Sequence, residues 1–243
     1  MNHFHKSGDV EVLGIIPARG GSKRIPHKNI VNVGGEPLIY YAIRAAAKSK
    51  LLDAFIVSTD DPKVAAIAKS FGADVPFLRP KKYAKDFSRD IEYLRHALEW
   101  LEKKRGWKPE IVVVLPPDVP TRTSHDIDGA VELLKRYNFD SVRTIIPPLP
   151  PVPYKAMWTM KDRSKKVIAP LFPKYVGVPR QLVPEYFISV GAAYAMRSKY
   201  IRRGNMWGRR VGGYILPAGK HVEIDEPEAL RLAESMVKGR KRT

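Results

Sequence analysis

Residues 12–23 read VLGIIPARGGSK, an apolar run followed by a loop with paired glycines. The run at residues 12–16 predicts a buried strand, because strands covered on both faces carry continuous apolar residues. The loop at residues 18–23 combines Gly20 and Gly21 with the cations Arg19 and Lys23. Glycines let backbone amides approach a phosphate chain closely, and basic side chains supply charge for it. The stretch therefore predicts a sheet protein with an anion-binding loop.

Strands and helices alternate on either side of this pattern. Apolar runs predict strands at residues 55–57, 111–115 and 141–145, and apolar residues at helical spacing predict helices at residues 37–50, 62–71, 91–104 and 124–137. Ser124 or Asp126 is the expected cap of the last of these helices. This order is typical of an α/β, doubly wound, mostly parallel, Rossmann-like sheet. Ligands bind such sheets beyond the carboxyl ends of the strands.

The alternation stops over residues 147–187, which are rich in proline. Two short strands are predicted there, at residues 154–160 and 166–171, around a turn at 161–165. Strands at 191–196 and 211–216 and a helix at 227–238 then restore the pattern. We expect a single domain over residues 10–243 with 147–187 as an inserted excursion.

The excursion has more apolar side chains than a solvated loop of its length carries. They include Tyr154, Met157, Trp158, Ile168, Leu171 and Phe172. An isolated hairpin is marginal in water, so the segment needs a surface to pack against. We expect that surface to be a second copy of the chain in a homodimer; the alternative is a hairpin folded back onto its own sheet.

The composition of the chain limits which classes of protein and of partner remain possible. The chain has no cysteine, which excludes disulfides and thiolate sites, and residues 1–9 are too polar for a secretory signal, so we expect a cytoplasmic protein without a membrane segment. The formal charge of +18 fits a polyanion, a phosphate-rich small substrate or the surface of a thermophile protein. No zinc-finger, helix-turn-helix or RNA-binding signature accompanies it, so we do not expect nucleic acid as the main partner.

The glycine loop has neither the G-x-G-x-x-G spacing of dinucleotide-binding proteins nor that of a P-loop. Residues 15–29, IIPARGGSKRIPHKN, instead resemble the signature loop of the N-acylneuraminate cytidylyltransferases, the CMP-sialic acid synthetases. Three later segments are similar in order and spacing, namely GGEPLI at 34–39, FIVSTD at 55–60, and PRQ at 179–181 with GAAY at 191–194. The resemblance spans residues 12–235.

The resemblance implies a Mg²⁺-dependent enzyme that transfers CMP from CTP to a nine-carbon keto-sugar acid, whose anomeric hydroxyl attacks the α-phosphate. The expected nucleotide-binding residues are Ala18, Arg19, Gly20, Gly21, Ser22, Lys23, Lys28, Asn29 and Asp118. The expected sugar-binding residues are Arg180, Gln181 and Tyr194. Arg19, Lys23 and Asp225 are the expected catalytic residues. The family also dimerises through the excursion, which makes Lys155, Lys165 and Lys166 candidates for the partner's sugar pocket.

Mg²⁺ prefers oxygen ligands, commonly one or two carboxylates with substrate phosphates and water. Asp118 follows the strand predicted at 111–115 and so belongs to the carboxyl edge of the sheet. Glu223 and Asp225 share a face if their segment is extended, and Glu-Ile-Asp is similar to the family's Asp-x-Asp element. We expect Asp118, Glu223 and Asp225 as metal ligands. The alternative for Asp225 is a cap of the last helix, because Pro227 suits an early helical position.

The chain departs from the family pattern at two places. Residues 115–122 read LPPDVPTR where the family has LQPTSPLR, and this segment is more similar to the keto-deoxyoctulosonate cytidylyltransferases. Val190 replaces an Asn before Gly191. The same chemistry with another nucleotide, or with a sugar such as keto-deoxyoctulosonate, is therefore an alternative. A second is a non-catalytic, basic, polyanion-binding protein on the same fold.

Overall fold

The computed structural model describes residues 9–148, 157–162, 164–217, 219 and 221–240, with only the backbone for Arg180 and Arg240. Its strands are β1 (Val12–Pro17), β2 (Asn32–Val33), β3 (Glu36–Pro37), β4 (Ala54–Ser58), β5 (Ile111–Val114), β6 (Ser141–Ile146), β7 (Trp158–Asp162), β8 (Val167–Pro170), β9 (Ile188–Arg197) and β10 (Val211–Ile215). Six of them form the main sheet in the order β10-β6-β9-β5-β1-β4. Only β9 runs antiparallel to its neighbours in that sheet. The expectation of a mostly parallel sheet is confirmed.

Helices cover both faces of the sheet. They are α1 (Leu38–Ala47), α2 (Pro62–Ser70), α3 (Asp90–Arg105), α4 (Ser124–Arg136), α5 (Ser198–Arg202) and α6 (Pro227–Arg240). The apolar faces of α1, α2 and α4 share one core cluster with the sheet, and α3 and α5 pack in the cluster on the opposite face. α6 packs outside α1 and β2 in a third cluster. This arrangement is the predicted doubly wound architecture.

Local hydrogen bonds explain where the helices begin. α2 starts at Pro62 because the side chain of Asp61 accepts from the Lys63 amide. α4 is capped by Thr123, whose side chain accepts from the Asp126 amide, while the Asp126 carboxylate accepts from the Thr123 amide. The prediction that Ser124 or Asp126 is the cap was therefore wrong, by one position for Ser124 and by three for Asp126, because the reciprocal capping box fixes the cap at Thr123.

The excursion contains an antiparallel hairpin of β7 and β8. The predicted strands at 154–160 and 166–171 overlap these strands, although residues 154–156 lie outside the described residues. The apolar side chains of the hairpin region are exposed, with Trp158, Ile168 and Leu171 between 51% and 52% accessible. None of the helices in the part of the chain that the structure describes has the length and apolarity needed to span a membrane.

Candidate active site

A cavity of about 440 Å³ opens where β1, β4 and β5 end and β9 begins. This is the edge at which open α/β sheets bind ligands. Its lining residues are Pro17, Arg19, Ser22, Lys28, Asn29, Arg79, Tyr83, Lys85, Asp86, Ser88, Asp90, Tyr93, Pro116, Pro117, Asp118, Tyr194 and Glu223. The cavity therefore brings together residues predicted for the nucleotide, the metal and the sugar.

Arg19, which lines the cavity, and Lys23, four residues along the glycine loop, form a group that we call the cationic wall. Lys23 Nζ lies 2.5 Å from Asp86 Oδ2, and Arg19 Nη1 lies 3.2 Å from Asp86 Oδ1. Arg19 Nη1 also donates to the Lys85 carbonyl at 3.1 Å. The hydrogen bond from Lys23 is the main cause that lowers the pKa of Asp86. Two cations from the glycine loop thus converge on one anionic group.

Part of the glycine-loop backbone is used within the fold. The Ala18 amide donates to the Ser58 carbonyl at 2.9 Å, and the Gly20 amide donates to Asp60 Oδ1 at 2.9 Å. A Cβ atom on Gly20 would lie 2.8 Å from the Cβ of Asp61. Glycine at position 20 is therefore required by packing against the cap of α2, independently of any phosphate.

The rest of the loop faces open space or the cavity. A Cβ atom on Gly21 would meet nothing within 4 Å. Ser22 and Asn29 line the cavity, and Asn29 Nδ2 donates to the Arg19 carbonyl at 2.8 Å. The Asn29 side chain thus supports the loop backbone that carries Arg19.

A second group of side chains, the acidic wall, consists of Asp118, Glu223 and Asp225, of which Asp118 and Glu223 line the cavity. Lys28 Nζ lies 3.3 Å from Asp118 Oδ2 and 3.2 Å from Asp225 Oδ1. A Cβ atom on Gly191 would lie 3.2 Å from Glu223 Oε1 and 3.5 Å from Asp118 Oδ1. Glu223 Oε1 and Asp118 Oδ1 therefore both lie beside Gly191, which has no side chain. Lys28, which was expected at the nucleotide, contacts the predicted metal ligands.

The acidic wall suits a divalent cation in two respects. Asp118 Oδ1 is buried without a hydrogen-bond partner among the described residues. Burial, with repulsion from Asp118 and then Asp225, raises the pKa of Glu223 to about 7. Within the described ranges no three acidic or histidine side chains converge closely enough to hold a metal by themselves. Mg²⁺ commonly takes one or two carboxylates together with phosphates and water, and these oxygens fit that mode.

Arg79 and Tyr93 are among the cavity-lining residues that were not predicted from the sequence. Arg79 is 4% exposed, and its Nε and Nη2 donate to Ser58 Oγ at 3.1 Å and to the Ser58 carbonyl at 2.6 Å. Its guanidinium carbon lies 4.3 Å from the ring centroid of Tyr93, whose buried hydroxyl has no hydrogen-bond partner in the described part of the chain. A single Arg in a loop carries no sequence signal of burial, so only the fold reveals this pair.

Arg122 supports the acidic wall from behind. Its Nε donates to the Ala192 carbonyl, and its Nη2 donates to the carbonyls of Pro116 and, at 2.6 Å, Gly191. Arg122 therefore ties the segment that carries Asp118 to the start of β9. Burial lowers the pKa of Arg122 to about 10.

The predicted sugar-binding residues are only partly gathered. Tyr194 lines the cavity, and burial followed by the charge of Glu223 raises its pKa. Gln181 is exposed on a 3₁₀ turn and is not among the cavity-lining residues. The side chain of Arg180 lies outside the described atoms. Val190, one of the departures from the family pattern, is 6% exposed and packs in an apolar cluster rather than lining the cavity.

A mostly parallel sheet with a glycine loop and a polar cavity at its carboxyl edge defines an α/β nucleotide-binding protein. The family model described as cytidylyltransferase matches residues 13–150, more than half of the chain. The chain belongs to the cytidylyltransferase family.

Curated relatives agree with this assignment. The chain is 28% identical over 236 residues to an N-acylneuraminate cytidylyltransferase of Escherichia coli O18:K1:H7, with 92% of this chain and 51% of the relative covered. It is 42% identical over 92 residues to a pseudaminic acid cytidylyltransferase of Campylobacter jejuni, with 38% and 40% covered. It is 27% identical over 230 residues to a CMP-N,N'-diacetyllegionaminic acid synthase of Legionella pneumophila, with 94% and 97% covered. The chain thus spans about half or less of the first two relatives.

A solved structure of similar fold is that of a CMP:2-keto-3-deoxy-manno-octonic acid synthetase complexed with CTP. Its TM-score is 0.71 at 17% identity, with 95% of this chain and 99% of that chain covered. The similarity at this identity establishes the fold.

Proposed function

We propose that the protein transfers CMP from CTP to the anomeric hydroxyl of a nonulosonic, sialic-type keto-sugar acid and releases pyrophosphate. In this reaction an O–P bond forms at the α-phosphate, the bond to pyrophosphate breaks, and the hydroxyl proton is released. The observation that carries the proposal is the convergence of Arg19 and Lys23 on the Asp86 carboxylate, which lines the same cavity as Asp118 and Glu223 of the acidic wall. A triphosphate needs cations such as Arg19 and Lys23 to neutralise its charge, and the Mg²⁺ that accompanies it needs carboxylate ligands.

Arg19 and Lys23 are proposed to hold the triphosphate by replacing their contacts with Asp86. Displacement at phosphorus depends on positioning and on neutralising negative charge more than on covalent help from the protein. Both side chains are long and reach solvent, with side-chain exposures of 38% and 78%. They can therefore exchange one anionic partner for another without disturbing the core.

Asp118, Glu223 and Asp225 are proposed to hold Mg²⁺, with Lys28 giving up its contacts with Asp118 and Asp225. Bound Mg²⁺ supplies charge neutralisation and orientation for the phosphates. Arg122 links the segment that carries Asp118 to Gly191 through hydrogen bonds to the Pro116 and Gly191 carbonyls. Because Gly191 has no side chain, it leaves room beside the carboxylate oxygens. Asp225 Oδ1 accepts a hydrogen bond from Lys28 at 3.2 Å, a contact that a cap of the last helix could make as well.

The names of the relatives support a nonulosonic acid as the sugar, since three of them refer to N-acylneuraminate, pseudaminic acid and N,N'-diacetyllegionaminic acid. Keto-deoxyoctulosonate is the second candidate. It is favoured by Pro116 and Asp118, which line the cavity where the sialic-type pattern has Gln and Thr.

The test is pyrophosphate release with each of the four NTPs, Mg²⁺ and a panel of nonulosonic acids plus keto-deoxyoctulosonate. We expect release with CTP and one sialic-type acid, and no release from the Asp225→Asn variant under the same conditions. Release only with keto-deoxyoctulosonate would select the second sugar. Silence with every combination would refute nucleotidyl transfer.

We also propose that the chain acts as a homodimer through the β7–β8 hairpin. Its exposed apolar side chains, Trp158, Met160, Ile168 and Leu171, lie between 47% and 52% accessible, which is costly in water unless another surface covers them. Lys165 and Lys166 in the connecting turn are then candidates for the partner's sugar pocket; Lys155 lies outside the described residues.

Light scattering on the wild type and on Trp158→Glu tests the dimer. We expect a dimeric wild type and a monomeric variant. Leu232→Glu on α6, which is 56% exposed and away from the hairpin, is the matched control and should remain dimeric. A monomeric wild type, or a Trp158→Glu protein that stays dimeric, would show that the hairpin is not the interface.

A further inference from the structure

A second cavity of about 440 Å³ lies between α1, the segment before α4 and the end of α6. None of its lining residues lines the candidate active site. Its polar lining residues are Tyr41, Arg44, Lys48, Arg122, Thr123 and Ser124. This volume falls within the range of small-molecule sites.

The second cavity is strongly cationic. Arg44 lies on α1 and Lys48 is the C-cap of this helix, four residues further on, and both are exposed. Arg122 adds a third positive charge, and no carboxylate of the described residues is among the lining residues. A cavity with three cations and no acidic lining attracts anions.

The amino end of α4 adds to this preference. α4 has 13 residues and begins at Ser124. Its capping box uses the amide of Asp126, whereas the amides of Ser124 and His125 have no acceptor within the helix. Amides at the start of a helix bind phosphate and related anions.

Arg122 provides an independent indication of a ligand. It is 4% exposed, and its Nε and Nη2 bond to backbone carbonyls behind the acidic wall. Its Nη1 is buried without a hydrogen-bond partner in the described residues. A buried guanidinium nitrogen without an acceptor is costly. Arg122 is one of the residues that line the second cavity, and Nη1 is its one guanidinium nitrogen without an acceptor among the described residues.

We propose that the second cavity is a binding site for a phosphate group, either as inorganic phosphate or pyrophosphate or as part of a nucleotide. Arg44 and Lys48 would hold its outer oxygens, while the start of α4 and Arg122 Nη1 would receive the inner ones. The site is distinct from the one that the proposed reaction uses, so it does not depend on the proposed function.

Isothermal titration with inorganic pyrophosphate, without Mg²⁺ and at low salt, tests the proposal by stoichiometry. We expect two pyrophosphate ions per wild-type chain and one for Arg44→Ser/Lys48→Ser, which changes only exposed side chains. The control Lys103→Ser/Lys104→Ser removes the same charge from exposed positions on α3 and should keep both. Arg19→Ala/Lys23→Ala should lose the other ion, because it alters the candidate active site alone.

The outcomes separate this site from the proposed function. One ion per wild-type chain that is lost only in Arg19→Ala/Lys23→Ala would overturn the second site and leave the reaction standing. If Arg44→Ser/Lys48→Ser and Lys103→Ser/Lys104→Ser lost pyrophosphate binding equally, the loss would be an effect of net charge, and the proposal would be overturned as well. Titrations with phosphate and with CMP then show whether the site takes a bare phosphate or a nucleotide; failure of all three probes to respond to Arg44→Ser/Lys48→Ser refutes the proposal.

Discussion

The two walls of the cavity differ in how much of their final geometry the protein fixes. Arg19 and Lys23 in the cationic wall are 38% and 78% exposed at the side chain and pair with an exposed Asp86. At the acidic wall, Asp118 and the Lys28 that contacts it are only 21% and 16% exposed at the side chain, although Asp225 is 59% exposed. Exposed ion pairs contribute little to stability, whereas enclosed like charges shift pKa values and require compensation. The cationic wall is therefore adaptable, and the acidic wall is preset for positive charge.

If the acidic wall is preset for Mg²⁺, the largest loss should follow from removing one of its charges. Asp225→Asn should lower kcat by at least about 100-fold, because the amide keeps an oxygen but loses the charge that holds a hard cation. Steady-state kinetics at varied Mg²⁺, together with the melting temperature, provides the measurement. Normal turnover with only a lower melting temperature would mean that Asp225 serves the last helix.

Changes in the adaptable wall should cost less. Arg19→Ala and Lys23→Ala should each lower kcat/KM for the nucleotide about 10-fold, because each removes one charge-assisted contact with the triphosphate. The melting temperature should be unchanged, since both side chains are on the surface. Lys63→Ala, an exposed cation on α2, is the control. Kinetics equal to those of Lys63→Ala would refute the assignment of the phosphate loop.

Asp86 offers a test of opposite sign. Because its carboxylate competes with phosphate for Lys23 and Arg19, Asp86→Asn should tighten binding of CTP by about 2- to 5-fold, the range expected for an exposed pair. Titration calorimetry of both proteins would show it. Weaker binding in the variant would mean that Asp86 positions the two cations instead of competing for them.

The smallest effect concerns stability and pH at the acidic wall. Burial raises the pKa of Glu223 from 4.5 to about 7, so between these pH values the folded protein keeps a proton that the unfolded chain has lost. The free energy of unfolding of the wild type should fall as pH rises through this window. Glu223→Gln lacks this penalty.

Thermal melts without Mg²⁺ should therefore show a difference between Glu223→Gln and wild type that grows in favour of the variant from about pH 4.5 to pH 8. A difference that is constant with pH would contradict the raised pKa. Added Mg²⁺ should stabilise the wild type more than the variant above pH 7, because it binds the deprotonated carboxylate.

The main sheet could be predicted from the sequence because its strands carry continuous apolar runs. The runs at β1, β4, β5 and β6 were each located to within a residue or two. The direction of β9 could not be predicted, because an apolar run does not state which way its strand lies in the sheet. Short α5 was missed, since five residues hold too little periodicity.

The candidate site was predictable where residues are neighbours in sequence. The loop around Arg19 and the segment of Glu223 and Asp225 were found from their spacing and from the resemblance to a family. Arg79 and Asp86 were missed, because their roles depend on contacts across 21 residues with Ser58 and 63 with Lys23. The packing reason for Gly20 was also hidden, since Asp61 approaches it only in the folded chain.

The central claim is that both walls act on one Mg²⁺–nucleotide complex, and the most direct measurement is CTP binding with and without Mg²⁺. Titration calorimetry on wild type, Lys23→Ala and Asp118→Asn would supply it. We expect Mg²⁺ to tighten CTP binding in wild type and in Lys23→Ala, with Lys23→Ala weaker under both conditions, and to have little effect in Asp118→Asn. CTP binding that is indifferent to Mg²⁺ in the wild type, or equally Mg²⁺-dependent in Asp118→Asn, would contradict the account.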